Sequence, residues 1–165
     1  MRFIHWKDTP MPAGERNDCT VRALALTTGA PYETARAHLA AFGRRKNRGT
    51  AWWRFVVWFE GKTLNGYQLK ELSLPKKTDH QHRHPLRQQC TTWRTVGQFA
   101  AAHPRGRYIL RVAGHAIPLI DGVVTDWKEG KARRLLGVTQ VIAPLAMALI
   151  GDKPTTNAQQ QELPF

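Results

Sequence analysis

The segment GRYILRVAGHAIPLIDGVVTD, residues 106–126, constrains the fold more than any other part of the chain. Tyr108 to Val112 is a run of strand length and strand composition, set off by the turn residues Pro104-Arg105-Gly106. Two more short runs flank Asp121-Gly122, a dipeptide suited to the positive-φ positions of a two-residue hairpin turn. The block therefore predicts a strand followed by a hairpin of two more. Arg134 to Ile142 offers a further strand.

The first half reads differently. Asn17 and Asp18 are both good N-caps for a helix in which Val21, Leu24, Ala25 and Thr28 form one face and Gly29 the stop. Pro31 fits the first turn of a second helix, with Tyr32, Ala35, Leu39 and Phe42 on one face and Gly43 just past its end. Residues 1–16 are expected to be irregular. Ala51 to Phe59 (AWWRFVVWF) is expected to be a third helix with Trp52, Phe55, Val56 and Phe59 inward, with a strand as the alternative because β-branched and aromatic residues dominate. Residues 61–75 are ambiguous, with a short strand at Leu69 to Leu74, and Lys76 to Gln89 is a polar, His-rich loop. Thr95 and Gln98 form a Thr-x-x-Gln capping box for a helix to His103, with Val96, Phe99 and Ala100 inward. Helices lead and antiparallel strands follow. The expected class is α+β, as one domain over residues 1–150 with a flexible tail at 151–165.

Composition narrows the setting. A chain of 165 residues with 42% hydrophobic content, six Trp and six Phe can bury one real core. Lys and Arg number 25 against 12 Asp and Glu, a formal charge of +13 that attracts polyanions without choosing among them. The first twenty residues hold no apolar run of the roughly 7–15 residues a secretory signal needs. The longest apolar stretch, Val141 to Ile150, is about half a membrane span and contains Pro144. Two distant cysteines, Cys19 and Cys90, make no disulfide framework. These features point to a soluble protein of a reducing, cytoplasmic compartment, with no membrane partner.

Three residues carry the chemistry. Cys19 would open the first helix, where the positive dipole end and free N–H groups favour a thiolate. His115 would open a strand, and Asp126 lies on the return strand across the hairpin. A thiol, a base and an orienting carboxylate are the equipment of nucleophilic acyl transfer. Asp121 is better explained by the turn itself. Taken singly, a helix-start cysteine or a strand-start histidine is more often structural; the conjunction is what points to a site.

NDCTVRAL, the GAPY helix start and the block 106–126 together resemble the papain-like cysteine peptidase superfamily. The likeness is greatest to its compact members, such as bacteriocin-processing domains and, above all, small bacteriophage proteins. It covers residues 15–42 and 95–127. It implies a papain-like fold, a cysteine peptidase or isopeptidase activity without metal or organic cofactor, and a protein or peptide substrate. It also implies a place in the host cytoplasm or on a virion. Cys19 matches the nucleophile, His115 the base and Asp126 the orienting residue. The family's upstream oxyanion Gln is absent: residues 13–18 are Ala-Gly-Glu-Arg-Asn-Asp. Asn17 is the amide at hand, though helix capping competes for it, and the Cys19 N–H would supply one donor.

Other features invite other partners. Arg44, Arg45, Lys46 and Arg48 form a basic patch that could meet an acidic host or virion protein, or nucleic acid with Trp52 or Trp53 stacking on bases. The plainer alternative is a solvated loop beside a core helix. His80, His82 and His84 alternate as zinc ligands can, but Arg83 and Arg87 oppose a cation, and no metal is expected. Cys90 is expected to be structural.

Overall fold

The computed structural model describes residues 2–9, 15–51, 62–72 and 94–144. Its elements in chain order are β1 (Arg2–His5), a 3-10 turn (Trp6–Asp8), α1 (Cys19–Thr28), α2 (Tyr32–Ala41), β2 (Thr63–Leu64), β3 (Tyr67–Glu71), α3 (Val96–Ala102), β4 (Arg107–Val112), β5 (His115–Ile120), β6 (Val123–Asp126) and β7 (Gly137–Ile142). The strands form one sheet in the order β1-β6-β5-β4-β7-β3-β2. All neighbours are antiparallel except β1 and β6. Among the described residues, three helices and a mostly antiparallel sheet make the class α+β.

Side-chain alternation sorts the sheet's two faces. Ile109 of β4, Ala116 of β5 and Val141 of β7 pack with Val21, Leu24, Ala35 and Leu39 of α1 and α2. Tyr108, Leu110, Val112, Ile117 and Leu119 point the other way, onto Val96 and Phe99 of α3. Both faces of β4 and β5 are therefore covered, and β5 is buried from His115 to Leu119. Among the described residues no helix is long and apolar enough to cross a membrane.

The local signals act as their chemistry requires. Asp121 and Gly122 take φ of 48° and 74°, and Ile120 pairs with Val123 across them. Thr95 and Gln98 form the reciprocal capping box at α3. Gly29 closes α1 in the left-handed region. At the end of α2, Gly43 N donates to Ala40 O and Arg44 N to Leu39 O, the paired bonds of a Schellman stop.

Several expectations change. Residues 2–5 are a strand, not irregular chain: Arg2 to His5 run parallel to Val123 to Asp126. The strand expected at Leu69 to Leu74 is β3, Tyr67–Glu71, hairpinned to β2 through Asn65-Gly66 with φ of 51° and 80°. That dipeptide is as strong a turn signal as Asp121-Gly122. The last strand begins at Gly137, because Arg134 makes only an isolated bridge to Thr95. Asp18 holds the N-cap position without a side-chain cap bond. Its carboxylate accepts instead from Arg22 Nε and the Tyr32 hydroxyl, each at 2.9 Å. The aromatic segment from Trp52, the loop with His80, His82 and His84, Cys90 and the tail from residue 151 lie outside the described residues.

Candidate active site

Cys19 is the first residue of α1 and half-buried. The first N–H groups of a helix have no intrahelical partner, so the thiol stands in their field. The His115 ring, the Ala116 backbone N–H and the Thr20 side chain are its polar neighbours. Burial by itself would raise the thiol's pKa; these neighbours and the charge of the imidazolium outweigh it, and the net shift is downward.

His115 follows the tight turn that joins β4 to β5, its partner across that turn being Val112. The same alternation brings Asp126 to it. Leu119 faces Val124, so, carried two residues further, Asp126 falls opposite Ile117 and diagonal to His115, within reach of a ring. His115 Nε2 donates to Asp126 Oδ1 at 3.0 Å. With Nε2 so engaged, Nδ1 is left for the thiol. Burial opposes the imidazolium, but the Asp126 and Cys19 hydrogen bonds and charges prevail and raise the His115 pKa to about 9. Both shifts favour a thiolate–imidazolium pair, whose protons belong to the pair and not to either residue.

Asp126 has no solvent exposure and is fully committed. Its Oδ1 also accepts from the Trp127 N–H at 2.7 Å, and its Oδ2 from Arg133 at 3.3 Å. Asp121, at the turn, accepts from Gly106 N at 2.8 Å and takes no part.

Two tryptophans enclose the imidazole. Trp127 stacks on it with centroids 4.6 Å apart and an interplanar angle of 20°, and Trp6 approaches at 5.7 Å, tilted by 49°. The Trp6 indole N–H is fixed to Thr125 O at 3.0 Å. Arg22 lies over the Trp6 ring and Arg133 over Trp127. Sequence reasoning passed over Trp6, Arg22, Trp127 and Arg133. Only Trp127, next to Asp126 in the chain, carried a signal that could have found it.

The remaining candidates fall elsewhere. The Asn17 side chain donates to Asn47 O at 3.2 Å and is solvent-exposed, with a backbone φ of 57°. Its amide is thus turned toward the basic loop and neither caps α1 nor faces the thiol. Arg44 is no member of an exposed patch. Pinned at the end of α2 by the Schellman bonds, it is buried and paired with Glu15 at 3.3 Å. Arg45, Lys46 and Arg48 are exposed. Among the described residues no group of three or more His, Cys, Asp or Glu is placed to hold a metal ion.

No protein family, no curated protein and no solved structure matches the chain. What the site can do rests on its own geometry.

Proposed function

We propose that the protein is a cysteine-dependent amide hydrolase, a peptidase or isopeptidase of papain-like, bacteriophage type. One observation carries the proposal: the Cys19 thiol neighbours the His115 imidazole, which is itself hydrogen-bonded at 3.0 Å to the buried Asp126 carboxylate. The Cys19 thiolate attacks the substrate carbonyl carbon, and the imidazolium gives its proton to the departing amine. The resulting thioester is hydrolysed by water, with neutral His115 now taking the proton. Asp126 holds the ring with Nδ1 toward the sulfur. The Cys19 backbone N–H, at the helix start, is one donor for the oxyanion.

A second proposal has its own support. Asn17, the amide nearest in sequence, is turned to Asn47 and is engaged there. This favours a non-catalytic scaffold that binds an acidic partner. Acylation by p-nitrophenyl acetate separates the two. The enzyme acylates Cys19 at pH 7 with a burst of nitrophenol, turns the thioester over, and loses both in Cys19→Ser and His115→Ala. Acylation no faster than that of the urea-unfolded chain overturns the hydrolase and leaves the scaffold.

A further inference from the structure

Two segments remote in sequence are clasped together directly before Cys19. The Glu15 carboxylate accepts from both terminal nitrogens of Arg44, at 3.3 and 3.5 Å, and from the Asn47 backbone N–H. Arg16 N donates to Asn47 Oδ1 at 3.0 Å, and the Asn17 side chain to Asn47 O. Asn47 itself adopts φ of 59°, and Arg48 N closes on Arg45 O at 3.1 Å. The turn 45–48 is therefore fastened to residues 15–17, which run straight into the helix that begins with Cys19.

The clasp also sorts charge. Its carboxylates face inward and are consumed there: Glu15 by Arg44 and Arg36, Asp18 by Arg22. Outside stand Arg16, Arg45, Lys46 and Arg48, all exposed. Among the described residues none of these four has an ion-pair partner. Four like charges on one small ridge repel one another, and an anion laid across them relieves the repulsion. A mobile loop would spread them apart. Here Asn47 and the buried Glu15–Arg44 pair hold them in place.

We infer that this ridge is the docking surface for an acidic segment of the polypeptide substrate. The inference takes the substrate's nature from the hydrolase proposal, and the surface from the geometry. A nucleic acid would satisfy the same charges. It offers no acyl carbonyl to a thiol held a few residues away, whereas an acidic polypeptide offers both the anion and the carbonyl.

The test is the anisotropy of fluorescein-labelled hexaglutamate titrated with the full chain at low ionic strength, against hexaglutamine and a single-stranded oligothymidylate of equal length. Hexaglutamate is expected to bind most tightly and to be released by about 0.5 M salt, where screening reaches only a few ångströms. The variant Arg45→Ser/Lys46→Ser/Arg48→Ser should weaken it about tenfold, as three exposed charge contacts would. A control with the same loss of charge elsewhere, Lys70→Ser/Arg94→Ser/Arg105→Ser, should change it less than about twofold if the ridge is the site. Equal losses in the two variants, or tighter binding of the oligothymidylate, overturn the inference. Cys19→Ser should bind as the parent does. An unreactive Cys19 with selective hexaglutamate binding sinks the hydrolase and keeps the ridge. A reactive Cys19 without that selectivity does the reverse.

Discussion

The indole of Trp127 lies almost parallel to the His115 imidazole, 4.6 Å away, although Trp127 is 48% exposed as a residue. One face of it screens the ring that Asp126 orients, and that face is electron-rich, so it favours the imidazolium. Trp127→Ala should lower the His115 midpoint from about 9. A cation–π contribution of about 0.5–1 kcal/mol corresponds to less than about one pH unit. NMR titration of the His115 ring would read it, and an unchanged midpoint would leave the stacking without electrostatic consequence.

The pH dependence follows from two opposite shifts. His115 is raised, so its stabilising effect is complete below the unfolded histidine pKa and is lost as pH rises through about 9. Cys19 is lowered, so its contribution is present above the unfolded thiol pKa and is lost as pH falls through the folded one. Chloroacetamide should therefore alkylate Cys19 with a midpoint below that of an ordinary thiol, which is about 8.5. In His115→Ala the rate should follow an ordinary thiol.

Asp126 serves His115, Arg133 and the Trp127 N–H at once. Asp126→Ala leaves a buried imidazole and a partly buried guanidinium without their anion, and should cost about 3–5 kcal/mol in urea unfolding. Asp126→Asn keeps the volume. It should destabilise less, yet bring the His115 midpoint down sharply. Asp121→Asn, which suits the same turn, should leave the His115 midpoint unchanged.

Glu15→Gln tests the clasp. The Glu15 side chain is 6% exposed and that of Arg44 1%, so losing the charge on one strands the other. A cost of about 3 kcal/mol is expected at pH 7. Burial pushes the Glu15 pKa up, but the Asn47 N–H and Arg44 prevail and bring it below the usual carboxylate value. The parent's advantage should therefore shrink as pH falls through that lowered pKa, and vanish in strong acid. Thermal unfolding of both proteins from pH 7 to pH 2 would show the curves converge.

Legibility in the sequence followed the range of the interaction. Turns and caps need only adjacent residues, so Asp121-Gly122, Gly29, Gly43 and the Thr95–Gln98 box could be read directly. Asn65-Gly66 was equally readable, but the polar residues around it obscured the hairpin. Strand β1 was not readable: four residues beside a Pro-containing segment become a strand only by pairing with β6, more than a hundred positions later. Arg44 looked like surface because it stands in a basic run, and only the fold brings Glu15 to it. Asp18 looked like a cap until Arg22 and Tyr32 claimed its carboxylate. Cys19, His115 and Asp126 were legible as residue types on three elements, and Trp6 and Arg133 were not. Trp6 reaches the site through the pairing of β1 with β6 and Arg133 from the loop after β6, and no local pattern marks either for it.

The pairing of β1 with β6 also carries a lesson about synthesis. A ribosome delivers Trp6 and Cys19 early, yet the ring they surround is added at position 115 and its carboxylate at 126. Contacts of such long range form late, after loop closure has been overcome. Throughout elongation the thiol therefore lacks the imidazole that lowers its pKa. The emerging polypeptide carries an ordinary thiol, and its cysteine acquires its lowered pKa only when His115 has been added and the fold has closed around it.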